Sequence, residues 1–84
     1  MKEPIINRNI EHGVFVKYYN GYYQFVMDSG DTIVFEGISS LAMNRFDLKS
    51  DRYKGKSFEI TYTEHIEDDD EDFIVYRIDN IKLT

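Results

Sequence analysis

Apolar and polar residues alternate on both sides of Asn20-Gly21 and predict a β-hairpin. Asn-Gly supplies the positive φ angles that a two-residue type I′ turn requires, and Tyr19 then faces Tyr22. Because side chains alternate between the faces of a strand, the paired residues fall into two sets. The set predicted to face the core is Val14, Val16, Tyr18, Tyr23, Phe25 and Met27. The opposite, amphipathic set is Phe15, Lys17, Tyr19, Tyr22, Gln24 and Val26.

The next segments predict a third strand and one short helix. A DSGD turn leads into TIVFEG, where bulk favours Ile33 and Phe35 as the inward residues, although the turn length leaves the inward face open. The segment ISSLAMNRFDL (38–48) is typical of a short helix, with Ser39 or Ser40 as its N-cap. Its buried face is predicted to hold Leu41, Ala42 and Phe46.

Two further strands are predicted at 56–66 and 73–83, joined by the acidic loop EDDDED at 67–72. In the last strand, Ile81 and Leu83 continue the face of Ile74, Tyr76 and Ile78 only if one extra residue is inserted near Asp79-Asn80, which predicts a β-bulge. The predicted core of the whole domain is Val14, Val16, Phe25, Met27, Phe35, Phe58, Ile60, Tyr62, Ile74, Tyr76 and Ile78.

Three strands, a short helix and two further strands follow one another along a chain of 84 residues. With this order, FDLKSDRYKGKSFEITYTE (46–64) and VYRIDNIKL (75–83) resemble small bacterial OB-fold-like domains of unassigned function. The resemblance implies an all-β fold, a five-stranded OB-like Greek-key barrel with one short helix between strands 3 and 4, as a single domain over residues 1–84. OB-folds bind oligonucleotides, oligosaccharides and other proteins, and the resemblance carries no catalytic signature.

Composition and charge indicate where the protein is expected to occur and which partners are disfavoured. The chain has no cysteine, and its 16 acidic and 10 basic residues give a net charge of −6, which disfavours binding to a phosphate backbone. No apolar run approaches the roughly 20 residues of a membrane helix, and MKEPIINRNIEHG lacks the apolar region of a signal peptide. We therefore expect a soluble, cytoplasmic protein without a membrane partner.

The amphipathic side of the first hairpin is the candidate ligand-binding site. Aromatic rings there are suited to stacking on a ligand, and ammonium and amide groups to orienting it. Cross-strand aromatic pairs also stabilise hairpins, so Tyr18 and Tyr23 are interpreted as structural. For Tyr19 and Tyr22, a structural role and a ligand-binding role both stay open. The proposed ligand-binding residues are Phe15, Lys17, Tyr19, Tyr22 and Gln24.

Other motifs predict no chemistry. The acidic run at 67–72 lacks the glycine and glutamate positions of an EF-hand loop, and His12 and His65 lack the spacing of zinc ligands. The serines form no nucleophile elbow, so we expect no metal, no cofactor and no enzymatic activity. One basic concentration is interpreted as a solvated connector, namely Arg45, Lys49, Arg52, Lys54 and Lys56.

Three functions stay open at this point. The first is a non-catalytic binding module for a protein or peptide partner, through the aromatic side of the hairpin. The second is binding of single-stranded nucleic acid by the same side, which the net charge disfavours. The third is self-association into a homo-oligomer through that side or through a strand edge.

Overall fold

A computed structural model describes residues 5–66 and 74–84 as one open, mixed β-sheet with one short helix. The order of the strands across the sheet is β3-β2-β1-β5-β6-β4, and β4 pairs with β6 as the parallel pair. The helix α1 spans Ser40–Arg45, and a 3-10 turn spans Asp51–Tyr53. The strands are β1 (Ile5–Tyr19), β2 (Tyr22–Met27), β3 (Thr32–Phe35), β4 (Gly37–Ile38), β5 (Ser57–Ile66) and β6 (Ile74–Leu83).

The all-β prediction with one short helix is confirmed, but the closed five-stranded barrel is wrong. The sheet has six strands because the predicted third strand is divided at Glu36. The N–H of Glu36 donates to Tyr76 O at 3.0 Å, so the chain leaves β2 there and continues beside β6. β3 pairs with β2 at one edge of the sheet, and the two-residue β4 pairs with β6 at the other edge. Because these two edge strands do not pair with each other, the sheet stays open. The acidic segment 67–72 lies outside the described residues.

A β-bulge in β1 changes the predicted faces of the first hairpin. Phe15 pairs with Phe25, whereas the next paired residue, Lys17, is opposite Gln24. The extra residue, Val16, shifts the alternation, so Phe15 turns into the core instead of lying on the same side as Lys17. The predicted core positions Val14 and Val16 are wrong for the same reason, since Val14 is 36% exposed and Val16 is only half-buried.

A second bulge, in β6, agrees with the sequence. Thr61 pairs with Asn80 and Tyr62 pairs with Ile78, which leaves Asp79 as the extra residue. Ile78 and Ile81 consequently both reach full burial. The remaining predicted core residues that are buried are Phe25, Met27, Phe35, Phe58, Ile60 and Tyr62.

The buried core differs in part from the predicted core of the whole domain. Ile33 and Phe35 face inward as favoured, while Ile74 and Tyr76 are only half-buried. The additional buried residues are Phe15, Tyr23, Ala42, Leu48 and Ile81.

The helix is shorter than the predicted 38–48. Ser39 is its N-cap, and the Ser39 hydroxyl accepts from the N–H of Ala42 at 3.1 Å while donating to Asp79 O at 2.6 Å. This bond ties the start of α1 to the bulge in β6. Ala42 is buried and Phe46 packs against the core, but Leu41 is 56% exposed, contrary to the prediction.

The longest strands extend past the rest of the sheet. β1 pairs with β5 along Ile5–Val14, but with β2 only from Gly13 onward, so residues 5–11 run beside β5 and beyond the end of β2. The described residues accordingly extend over 44 × 27 × 22 Å. In residues 5–66 and 74–84, no helix is long and apolar enough to cross a membrane.

Candidate functional site

The hairpin of β1 and β2 brings four of the predicted ligand-binding residues together. They line a shallow concavity of about 230 Å³ on the outer side of the sheet, with Val34 of β3 as a further wall. We call this site the tyrosine surface, and it consists of Lys17, Tyr19, Tyr22, Gln24 and Val34.

The local sequence sets this arrangement. Asn20 and Gly21 have φ angles of 52° and 92°, as the type I′ turn requires, and they place Tyr19 opposite Tyr22. One row across the sheet then runs from Lys17 through Gln24 to Val34. The tyrosine pair lies next to this row at the turn end of the hairpin.

The tyrosine surface is open to solvent. Tyr19 is 69% exposed, Tyr22 is 42% exposed and Val34 is 43% exposed. Lys17 Nζ lies 5.7 Å from the centroid of the Tyr19 ring, close enough for a cation–π contact. The surface thus offers aromatic faces, an apolar wall, one amide and one positive charge.

The fifth predicted residue, Phe15, lies elsewhere. Its ring is fully buried and packs 5.2 Å from that of Phe25, so it cannot reach a ligand on the outer side. Tyr18 and Tyr23 pack 5.0 Å apart, with Tyr23 5% exposed, in agreement with their structural interpretation. Sequence reasoning missed Val34, although the choice of Ile33 and Phe35 as inward residues already implied that it faces outward.

The open edge of β3 borders the tyrosine surface. Ile33 and Phe35 are paired with Phe25 and Tyr23, and just before β3 the Met27 N–H donates to Asp31 O at 2.8 Å. The backbone N–H and C=O groups of the odd-numbered residues therefore point toward β2. The N–H of Glu36 faces the other way, toward β6. Backbone groups alternate along an antiparallel strand. The N–H and C=O of Thr32 and Val34 therefore point away from β2, and no described residue hydrogen bonds to them.

A larger and more polar concavity, of about 450 Å³, lies on the inner side between β3 and the long strands. Several of its polar groups bond to one another: the Tyr62 hydroxyl donates to Glu11, and Asn9 Nδ2 donates to Glu64 Oε1 at 3.3 Å. Burial, followed by the hydrogen bond to Glu11, raises the pKa of the Tyr62 hydroxyl well above its ordinary value of 10.0. The polar groups that line this concavity are thus partly exposed, and several of them bond to one another.

Tyr62 makes the fold sensitive to alkaline pH. Its pKa is higher in the folded than in the unfolded chain, so its contribution to stability is complete below pH 10.0 and falls as the pH rises from there toward the folded value. We expect Tyr62→Phe to reduce the loss of stability between about pH 8 and about pH 11, measured by urea denaturation. An equal loss in the variant and the wild type would contradict this assignment.

The basic connector forms local contacts. Lys54 Nζ pairs with Asp51 Oδ1 at 3.0 Å, Arg45 Nη1 donates to Ile81 O at 3.5 Å, and Lys49 Nζ lies 5.6 Å from the Tyr18 ring centroid. These positive groups are thus directed to different neighbours. Among residues 5–66 and 74–84, no group of three or more His, Asp or Glu residues is placed to hold a metal ion.

Comparison of the chain with protein-family models, with curated proteins and with solved structures found no match in any of the three.

Proposed function

We propose that the chain is a non-catalytic binding module that takes an extended peptide segment of a partner protein on the tyrosine surface. The observation that carries this proposal is the convergence of two exposed tyrosine rings, an amide and an ammonium group on one concavity. Aromatic residues in such positions are the usual anchors of protein interfaces, because they supply a large contact area at low entropic cost.

The edge of β3 supports an extended peptide as the ligand. A strand added beside Val34 would satisfy its outward N–H and C=O, and main-chain hydrogen bonds of this kind supply affinity in β-strand addition. The residue opposite Val34 would extend the row that runs through Gln24 and Lys17. An aliphatic or aromatic side chain there would cover Val34 and contact the ring of Tyr22.

Charge favours an uncharged or basic peptide over nucleic acid. The protein carries a net charge of −6, and Lys17 is the one cation of the tyrosine surface. Tight binding of a phosphate backbone requires several cations that release counterions together. Three of the connector cations that would have to assist, Arg45, Lys49 and Lys54, are instead directed to other contacts.

An OB-like strand order is the framework that we propose for this module. Glu36 alone separates β3 from β4, and β4 runs parallel to β6 at the opposite edge of the open sheet. The helix α1 follows this divided strand and precedes β5. These features support the OB-like order inferred from the sequence, in which one short helix lies between the third and fourth predicted strands.

The Tyr19→Ala/Tyr22→Ala double variant should weaken peptide binding by at least about tenfold, since aromatic anchors each contribute more than about 1 kcal/mol. The probes are random linear peptides selected by display against the wild-type protein, and the readout is their dissociation constant by calorimetry. Leu41→Ala/Met43→Ala is the matched control, because it removes exposed apolar side chains from the helix instead, and it should leave binding unchanged.

Two results would contradict the proposal. One is selected peptides that bind the double variant and the wild type equally. The other is tight binding of a labelled oligothymidylate at low salt, with an affinity that falls steeply as salt is added, which would assign the surface to nucleic acid.

A further inference from the structure

The extended half of β1 has a neighbouring strand on one side only. β5 accompanies it from Ile5, whereas β2 joins its other side only at Gly13. Among the described residues, nothing pairs with the second edge of residues 6–10. A strand edge of this length presents backbone donors and acceptors to any chain that can extend beside it.

The hydrogen-bond pattern shows which backbone groups face this edge. Thr84 N–H donates to Ser57 O at 3.0 Å. The backbone N–H and C=O groups of the odd-numbered residues of β5 therefore point toward β6, and those of the even-numbered residues point toward β1. Phe58 is even-numbered and is paired with Gly13. The backbone N–H and C=O groups of the odd-numbered residues of β1 therefore point toward β5, and those of the even-numbered residues point away from it.

A second contact confirms this alternation. Asp28 N–H donates to His12 O at 2.9 Å, from the side opposite β5. By the same alternation, Ile6, Arg8 and Ile10 each direct an N–H and a C=O outward. No hydrogen bond from the described residues reaches these groups.

The side chains along this edge do little to prevent pairing. Ile6 and Ile10 are 60% and 62% exposed, and both lie on the outer side of the sheet with Arg8 between them. Arg8 Nε lies 3.9 Å from Asp79 Oδ2, a carboxylate on β6. The charge of Arg8 is thus directed across β5 and away from the edge, although charged edge residues commonly block such pairing.

We propose that this edge pairs antiparallel with the same edge of a second copy of the chain, across a two-fold axis at Arg8. The outward residues are symmetric about Arg8, so Ile6 of one copy lies opposite Ile10 of the other. Every outward N–H then meets an outward C=O, as a self-complementary interface requires. On the inner side, Asn7 of one copy lies opposite Asn9 of the other.

The surroundings of the edge favour a second copy over a longer foreign strand. Asp28 occupies the position beside His12, so within the described part of the chain an incoming strand has room along residues 6–10 but cannot continue toward Gly13. Within that length the chain itself supplies isoleucine opposite isoleucine and asparagine opposite asparagine. The carboxylate of Asp79 offsets the one unfavourable pair, Arg8 opposite Arg8, in both copies.

The dimer should be weak and should tighten with salt. A pairing of five residues buries less than the roughly 1,200 Å² of a stable interface, which places it among transient associations. Each copy carries a net charge of −6, so long-range repulsion opposes association at low ionic strength. Added salt screens that repulsion while leaving the backbone hydrogen bonds in place.

Amide hydrogen exchange tests the pairing without any substitution. Between about 50 μM and about 1 mM protein, exchange should slow at the N–H of Ile6, Arg8 and Ile10. Over the same range it should stay unchanged at Asn7 and Asn9, whose N–H groups face β5 in the monomer. Unchanged exchange at all five residues, with a monomer mass by sedimentation equilibrium throughout, would overturn the proposal.

A pair of charge-matched variants separates this edge from the remainder of the surface. Ile10→Lys should weaken dimerisation at least about tenfold, because it places a charge opposite the apolar Ile6 of the second copy. Val75→Lys makes the same charge change on β6 at a side chain that is 39% exposed, and it should leave the dimer intact. Equal weakening by both variants, or by Tyr19→Ala/Tyr22→Ala, would assign association to another surface.

Discussion

Replacing Phe15 by alanine should lower the free energy of unfolding by about 3–5 kcal/mol, the range for deleting a buried aromatic ring. Phe15 is fully buried against Phe25, and its removal leaves a cavity that the surrounding strands can fill only in part. A small domain has about 5–15 kcal/mol of stability in total, so the variant should lose a large share of it. Urea denaturation followed by circular dichroism measures the change.

Tyr19→Ala is the control for this prediction. It removes a ring from the same strand, but that ring is 69% exposed, so the cost should stay within about 0.5 kcal/mol. If the two variants lost similar stability, the bulge between Phe15 and Lys17 would be in the wrong place. Phe15 would then lie on the same side as Tyr19, as simple alternation predicts.

Ile81→Ala should destabilise the protein by about 2–5 kcal/mol. Ile81 is fully buried because Asp79 is an extra residue in β6, which turns the end of the strand back toward the core. Thermal and urea denaturation should both show the loss.

Leu83→Ala supplies the comparison on the same strand. Leu83 is 51% exposed at the end of β6, so its truncation should cost well under half as much as that of Ile81. A larger loss from Leu83 than from Ile81 would contradict the described end of the strand.

The two bulges show what alternation in the sequence can and cannot predict. At Asp79 the apolar pattern itself breaks its period, since Ile78 and Ile81 can share a face only with an extra residue between them, and that bulge was predicted. Near Val16 every residue from Val14 to Val16 is apolar, so the pattern fits with or without a bulge. Burial of the larger ring, Phe15, decides the register there, and that depends on packing against Phe25.

The candidate site was largely predictable for a local reason. Asn20-Gly21 fixes the pairing of Tyr19 with Tyr22 and of Lys17 with Gln24, and both pairs lie between the turn and the bulge. A wrong register elsewhere in β1 therefore does not change these two pairs. Val34 joins the site through a second pairing, which the sequence alone left open.

The division of the third strand was beyond sequence reasoning. Nothing in TIVFEGI marks Glu36 as the residue that leaves one edge of the sheet for the other. Its bond to Tyr76 joins segments that are far apart in sequence. The open edges of β1 and β3 are likewise properties of the assembled sheet, and the proposals for a second copy and for a peptide rest on them.

The central claim is that the tyrosine surface and the edge of β3 together bind an extended peptide. Titrating a display-selected peptide into isotope-labelled protein, with amide shifts and hydrogen exchange as the readout, tests this claim most directly. We predict shifts at Lys17, Tyr22 and Gln24, together with slowed exchange of the Val34 N–H. Shifts confined to other strands, or a Val34 N–H that exchanges as fast in the saturated complex as in the free protein, would contradict it.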